Sequence, residues 1–340
     1  MNGMNNKIDF VVTWVDSNDS DWIEEKNKYI PKANMSNSKN RYKDWGMFKY
    51  WFRGVEKFAP WVNKVYLITY GHLPKWLNVK NPKLVILNHK DYIPKEYLPT
   101  FNSNTIELNL HRIKELSENF VLFNDDTILI NKTKEEDFFK NNIPCCSAAL
   151  NVHCPIKSQI IQNISNNNVG IINEHFEYKK TFNKNKKIWF NIKNGRMLLR
   201  TIALCKCPRY PGFWMDHLPT SHKKSVFKEV WDCENEILSE TSSHKFRSAK
   251  DVNHWLMKEW QIVNGRIKNR SIKRFGKSFY IIENNMDYLE KEILKYITHQ
   301  KGKIICINDS DLTGERYEMF VPKIMESFEK IMPEKSSYEI

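Results

Sequence analysis

Apolar residues recur along this chain in short continuous runs separated by amphipathic stretches. The runs lie at 8–15 (IDFVVTWV), 65–70 (VYLITY), 84–88 (LVILN), 120–123, 127–130, 188–192 (IWFNI), 279–282 and 303–307 (KIICI). Continuous rather than alternating apolarity predicts strands buried on both faces. Between them the period lengthens. Over 44–59, Phe48, Trp51, Phe52, Val55 and Phe58 form one helical stripe, and over 104–117 Ile106, Leu110 and Ile113 form another. Further helices are predicted near 223–238, 250–262, 287–298 and 318–331. Strands alternating with helices predict an α/β fold with a mostly parallel sheet flanked by helices. Residues 155–200, rich in Asn and Lys, show weak periodicity and are expected to be an irregular middle insertion. No Pro/Gly/Ser linker divides the chain, so a single domain is expected.

Composition narrows the class. The chain has 340 residues, 41% hydrophobic and 13% aromatic, enough for a substantial core. No apolar run approaches the roughly 18 residues of a membrane span. The first residues, MNGMNNKIDFVVTWVD, lack the run and cleavage site of a signal peptide. A cytoplasmic protein is expected, with room for attachment at the inner face of the cell membrane. The seven cysteines are scattered. Cys205 and Cys207 form C-x-C without a matching pair, which favours reduced thiols over a zinc site.

The net charge of +13 attracts anions: nucleic acid, an anionic membrane face or phosphorylated substrates. The basic runs Lys179 to Lys187 and Arg266 to Lys277 read as solvated surface. No nucleic-acid-binding signature accompanies them, so nucleic acid is not an expected partner.

Candidate chemistry sits where apolar runs stop. In FVLFNDDTILI (Phe120 to Ile130), Asn124-Asp125-Asp126 interrupts a buried segment. An unpaired ionised carboxylate costs several kcal/mol to bury, roughly. The triplet therefore reads as a tight turn with hairpin flanks, or as a metal- or phosphate-handling strand end. Asp16, Asn18, Asp19 and Asp21 follow the first strand, and Asn308-Asp309 ends the last. Neither forms a calcium loop: Asp21 and Asn27 stand where Gly and Glu belong in the first, and Phe320 where Glu belongs in the second. Three acidic strand ends suggest one rim gathering carboxylates around a cation and phosphates.

Glu107 and His111 are four apart and would share a helix face. Asn104 and Glu107 also fit a capping box, which accounts for them without chemistry. On its own, His217 in FWMDHLPTSHKK reads more readily as a structural histidine than as a base. His244, Lys245 and Arg247 precede a helix expected near Lys250 and suit anion binding.

Taken in order, four blocks resemble the Stealth family, which includes bacterial capsular-polysaccharide phosphotransferases and the animal N-acetylglucosamine-1-phosphotransferase α/β subunit. IDFVVTWVDSND resembles its first conserved region. The second extends from RYKDWGMFKYWFRGVEKFAPW to YLPTFNSNTIELNLHRIKELSENFVLFNDD. DHLPTSHKKSVFKEVWD with SSHKFRSAKDVNHW resembles the third, and KIICINDSD the fourth. Ser17 stands where Gly is usual and Leu218 where Met is frequent. The blocks fall at about 7–22, 41–130, 213–260 and 303–330, within one catalytic domain over 7–335 and with variable filler at about 145–205.

The resemblance implies a Rossmann-like, glycosyltransferase-A-like fold. It also implies transfer of hexose- or N-acetylhexosamine-1-phosphate from a nucleotide-diphosphate sugar, UDP-linked in this expectation, to a glycan acceptor, free or lipid-linked. The product is a phosphodiester in a capsular or cell-surface polysaccharide. It places Glu107, Asn124, Asp126, His217, Arg247 and Asp309 in the active site, with Asp16 near the nucleotide. The expected roles are Arg247 and Lys245 on the diphosphate, and Asp126 and Asp309 on Mg²⁺ or Mn²⁺. His217 takes the acceptor proton, with Asp126 as rival base, and Glu107 and Asn124 orient sugar or acceptor. Two other readings stay open: a metal-dependent glycosyltransferase forming an ordinary glycosidic bond, and a non-catalytic polysaccharide-binding protein.

Overall fold

In the computed structural model, which describes residues 7–30, 46–281, 286–309 and 315–340, the main sheet has five strands. They are β1 (Ile8–Thr13), β2 (Val65–Thr69), β3 (Leu84–Asn88), β4 (Asn119–Asn124) and β8 (Thr220–Lys223), in the order β3-β2-β1-β4-β8. The first four are mutually parallel, and β8 runs antiparallel to β4. Strands β1, β2 and β4 are buried along almost their whole length. Phe10, Val12, Val121 and Phe123 enter one hydrophobic cluster, and Val11, Tyr66, Phe120 and Leu122 the other. Successive side chains point to opposite faces, so a strand covered on both sides needs an unbroken apolar run.

The remaining strands are β5 (Thr127–Leu129), β6 (Phe139–Lys140), β7 (Ile143–Cys146), β9 (Lys268–Asn269), β10 (Gly276–Ile281) and β11 (Ile304–Asp309). They form two three-stranded sheets, β10-β11-β5 and β6-β7-β9. Helix Phe48–Phe58 lays its aromatic stripe into the first cluster and crosses β5 closely. A Cβ on Gly54 would stand 2.6 Å from the Leu129 carbonyl oxygen, so this approach requires glycine. Buried Arg53 of the same helix donates to Glu339, Glu329 and the Met332 carbonyl, tying down the C-terminal segment.

The α/β class and the parallel, helix-flanked sheet are as expected from the sequence. Several local expectations are corrected. Residues 188–192 form no strand: helix Lys186–Trp189 and a 3-10 turn at Ile192–Asn194 bury Trp189 against Phe182 and Tyr210. The middle is helical rather than irregular, with helices Ile160–His175, Tyr178–Lys184 and Met197–Leu204. Its period was hidden because asparagine takes inward positions. Buried Asn168 donates to Asn253 Oδ1 at 2.8 Å, filling a slot that an apolar residue would normally mark. Among the described residues, no helix is long and apolar enough to cross a membrane.

Candidate active site

The Asn124-Asp125-Asp126 triplet is a turn, with Thr127 Oγ1 donating to the Asn124 carbonyl at 2.6 Å. Its flanks do not make the hairpin that a turn alone would give. β4 stays in the main sheet, while β5 leaves to pair antiparallel with β11. The turn thus sits where two sheets part, and the end of β11 returns beside it: Ile307 N–H donates to the Asp126 carbonyl at 3.1 Å.

Four elements converge there. His217, about a fifth exposed, places Nε2 3.4 Å from Asp126 Oδ2 and 3.1 Å from Asn124 Nδ2. From β11, Asn308 Nδ2 lies 3.3 Å from Asp126 Oδ2 and 3.4 Å from His217 Nε2. The Cys306 thiol donates to Asp126 Oδ2 at 3.4 Å. Burial pushes the His217 imidazole down, but the Asp126 charge and its hydrogen bond outweigh this, and the net direction is up. Cys306 is driven far above the usual thiol range by burial and by Asp126, which leaves it a protonated donor.

Glu107 and Arg247 complete the arrangement. Helix Ser103–Leu108 is capped by Asn102, not Asn104, and ends before His111. The expected capping box is therefore absent, and Glu107 and His111 do not share a helix face. His111 turns to the Leu108 carbonyl and packs against Trp231. Arg247 donates from Nε at 3.1 Å and from Nη2 at 2.5 Å to Ser103 Oγ, while the Ser103 hydroxyl bonds Glu107. Burial lifts Glu107 to about 7, with Arg247, His217 and Ser103 pulling it partly back. His254 lies 3.8 Å from Glu107, but burial lowers it to about 3, so this neutral imidazole forms no ion pair at neutral pH.

Residues that carried no sequence signal hold these groups in place. Fully buried Asp251 accepts from Asn102 and Asn104, each at 2.9 Å, from Ser248 N–H at 3.0 Å, and bonds His244 at 2.6 Å. It thereby clamps the segment bearing Arg247 onto the helix bearing Glu107. The helix expected near Lys250 begins at Trp255, because Asp251 organises the preceding residues as a loop. Behind His217, Asp216 pairs with buried Lys258 at 2.9 Å, and Lys258 with Arg270 holds its carboxyl below the usual range despite burial.

The other sequence candidates lie elsewhere. Asp19 caps helix Ser20–Tyr29, and Asp16 Oδ1 accepts from Asn18 N–H at 2.9 Å, so much of that acidic run is structural. Lys245 gives its ammonium to the Tyr97 and Leu98 carbonyls. Asp309 ends β11, but its side chain lies outside the described residues. Asp126, His217 and Cys306 could hold a metal ion, their ligand atoms all lying within 4.8 Å of one another. Buried Asp126 Oδ1 has no hydrogen-bond partner among the described residues, so the donor set fits a cation at this point. Cys306 was missed because a cysteine inside an apolar run looks like core.

Residues 6–33 match the model of Stealth protein CR1, conserved region 1, and residues 41–146 that of Stealth protein CR2, conserved region 2. A capsular polysaccharide phosphotransferase WcwK of Streptococcus pneumoniae is 44% identical over 336 residues, 98% of each chain. The receptor polysaccharide phosphotransferase WefC of Streptococcus gordonii is 40% identical over 98% of this chain and 99% of its own. A solved galactosyltransferase LgtC, with donor and acceptor sugar analogs, aligns over 94% of this chain and 95% of its own at 7% identity and a TM-score of 0.40.

Proposed function

The chain belongs to the Stealth protein family, and from that membership we infer that it is a sugar-phosphate transferase of polysaccharide biosynthesis. The observation that carries the reading is identity over nearly the full length of both chains with proteins named polysaccharide phosphotransferases. We propose that the donor is a UDP-linked hexose or N-acetylhexosamine and the acceptor a glycan hydroxyl. The acceptor oxygen attacks the β-phosphorus and forms a new P–O bond. The bond from that phosphorus to the bridging oxygen breaks, and nucleoside monophosphate leaves with it.

In this reading His217 Nε2 takes the acceptor proton, supported by the Asn124 amide beside it and by the Asp126 carboxylate, which stabilises the imidazolium formed. Arg247 binds the diphosphate, since its guanidinium is held by a neutral hydroxyl and keeps donors to offer. Glu107 and Asn124 orient the sugar or acceptor, and Asp16 lies toward the nucleotide, with Lys245 supporting that side from its carbonyl contacts. The two conserved regions and the site belong to one catalytic domain over 7–335.

Asp126, through its free oxygen, would hold the divalent cation. Asp309 is proposed as the second carboxylate, while His217 and Cys306, whose side chains stand beside Asp126, keep their roles as proton acceptor and hydrogen-bond donor. Carboxylate oxygens suit Mg²⁺ or Mn²⁺. When bound, the cation neutralises charge on the donor diphosphate.

Incubation with UDP-N-acetylhexosamine and the parent glycan tests the reading, with nucleotides separated and the product examined by ³¹P NMR. UMP release together with a phosphodiester signal is expected, and EDTA should abolish both. UDP release with no phosphodiester would make the protein a glycosyltransferase. No nucleotide release with any donor, but retained glycan binding, would make it a binding protein.

A further inference from the structure

Between Tyr178 and Met215 the chain carries ten Lys and Arg residues and no Asp or Glu. These ten supply most of the net charge of +13, so the protein's cationic character is concentrated in the middle helices. All ten are exposed: Lys179, Lys180, Lys184, Lys186, Lys187, Lys193, Arg196, Arg200, Lys206 and Arg209. Among the described residues none of them pairs with a carboxylate, whereas Lys223, Lys258, Arg266 and Lys303 elsewhere do.

Apolar side chains stand among these cations. Ile192, 87% exposed, and Leu199, 73% exposed, are the two most exposed large apolar residues described. Phe190 and Ile202, close to them in the chain, are exposed as well. Helix Met197–Leu204 turns Met197 and Thr201 inward, which leaves Leu199, Ile202 and Arg196 on its outer side. Arg200 reaches back to Asn151, whose neighbour Val152 is also exposed. A cleft of about 520 Å³ opens on this face, lined by Arg196, Met197, Leu199, Arg200 and Trp214. Trp214 is three residues from His217, so this face and the candidate site share one stretch of chain.

We propose that the face built by residues 184–206 docks on an anionic lipid bilayer, with Ile192, Leu199 and Ile202 entering the headgroup region and the surrounding Lys and Arg residues contacting lipid phosphates. Unpaired cations around exposed aliphatic side chains complement a surface that is anionic outside and apolar just beneath. A soluble polyanion would match the cations but would gain nothing from Ile192 or Leu199. The inference does not depend on the transfer reaction, and its test reads binding alone.

The test is co-sedimentation of the full chain with phosphatidylglycerol-containing vesicles and with pure phosphatidylcholine vesicles. Binding to the first, weakened by salt, and little to the second are expected. Lys184→Gln/Lys187→Gln/Lys206→Gln should lower partitioning by about 10²-fold, since each cation near an anionic bilayer adds about fivefold. Ile192→Ser/Leu199→Ser/Ile202→Ser should lower it about tenfold or more. Should that variant misfold by circular dichroism, Ile192→Ser alone, at the most exposed position, replaces it. Lys80→Gln/Lys90→Gln/Lys95→Gln, an equal charge loss elsewhere, should leave binding within about twofold on this same scale. Failure of the wild type to sediment with phosphatidylglycerol overturns the proposal, as does an equal loss in the Lys80/Lys90/Lys95 control. Unchanged binding of the apolar variants overturns it in favour of a soluble polyanion.

Discussion

His72, just after β2, and His217, just before β8, both face carboxylates, yet their protonation is driven in opposite directions. His72 Nε2 accepts the Asp16 backbone N–H at 2.7 Å, and its Nδ1 lies 3.6 Å from Asp19. Burial lowers its pKa, and the two carboxylates do not make up the loss. His217 is also desolvated, but Asp126 overcomes that and raises it. A proton on Nε2 of His72 would break a backbone hydrogen bond. A proton on Nε2 of His217 is met by a carboxylate. Proximity of an acid is therefore not enough to raise an imidazole; the carboxylate must outweigh desolvation, as Asp126 does at His217 and as Asp16 and Asp19 do not at His72.

The largest expected effect separates these two residues. His217→Ala should reduce single-turnover transfer by about 10²–10⁴-fold with donor affinity, measured by calorimetry, nearly unchanged. A folded His217→Ala protein that no longer binds donor would assign His217 to phosphate and pass the proton to Asp126. Arg247→Ala should instead weaken donor binding about 10–100-fold, the worth of a charge-assisted contact of roughly 1.5–3 kcal/mol.

Asp251→Ala tests what holds Arg247 in place. Loss of the buried acceptor strands several donors and should destabilise the protein by about 3 kcal/mol in urea unfolding, weakening donor binding as well. Stability unchanged within error would remove Asp251 from its organising role.

Glu107→Gln should make the protein more stable at pH 7 by about 1–3 kcal/mol while lowering transfer. Its folded pKa, about 7, lies above the ordinary 4.5, so the folded state holds a proton that the unfolded state has released. Stability from this group therefore falls as pH rises from 4.5 to about 7, and the glutamine variant should lose that slope. A variant whose stability keeps the same pH slope would show that Glu107 is solvated. The smallest effect concerns the histidines without metal: by NMR, His217 should titrate above the free imidazole value and His72 below it. Asp126→Asn should lower the first and leave the second unmoved.

Much of the frame was legible in the sequence. Unbroken apolar runs marked β1, β2, β4 and β11 because strands covered on both faces have no polar positions to spare. The interruption at Asn124-Asp125-Asp126 marked the turn where β4 ends, because carboxylates in such a run need partners or an exit from the core. The stripe of Phe48, Trp51, Phe52, Val55 and Phe58 marked a helix because its period matches one face. Legibility failed where polar residues did the work of packing. Asn168 in the helix Ile160–His175 and Asp251 in its loop are fully buried, but each satisfies its polar atoms with partners far along the chain.

The sequence by itself thus determined the class of fold and, through resemblance, the family. These depend on residue types at fixed local spacing. Tertiary structure alone decided that β5 would leave its neighbour for β11, bringing Asn308 and Cys306 to Asp126. It also decided that Asn102, rather than Asn104, caps the helix, which frees Glu107 for Arg247 and Ser103. The sign of each histidine's shift was decided there too, because desolvation and the distance to a charge belong to the folded arrangement and to no single stretch of chain.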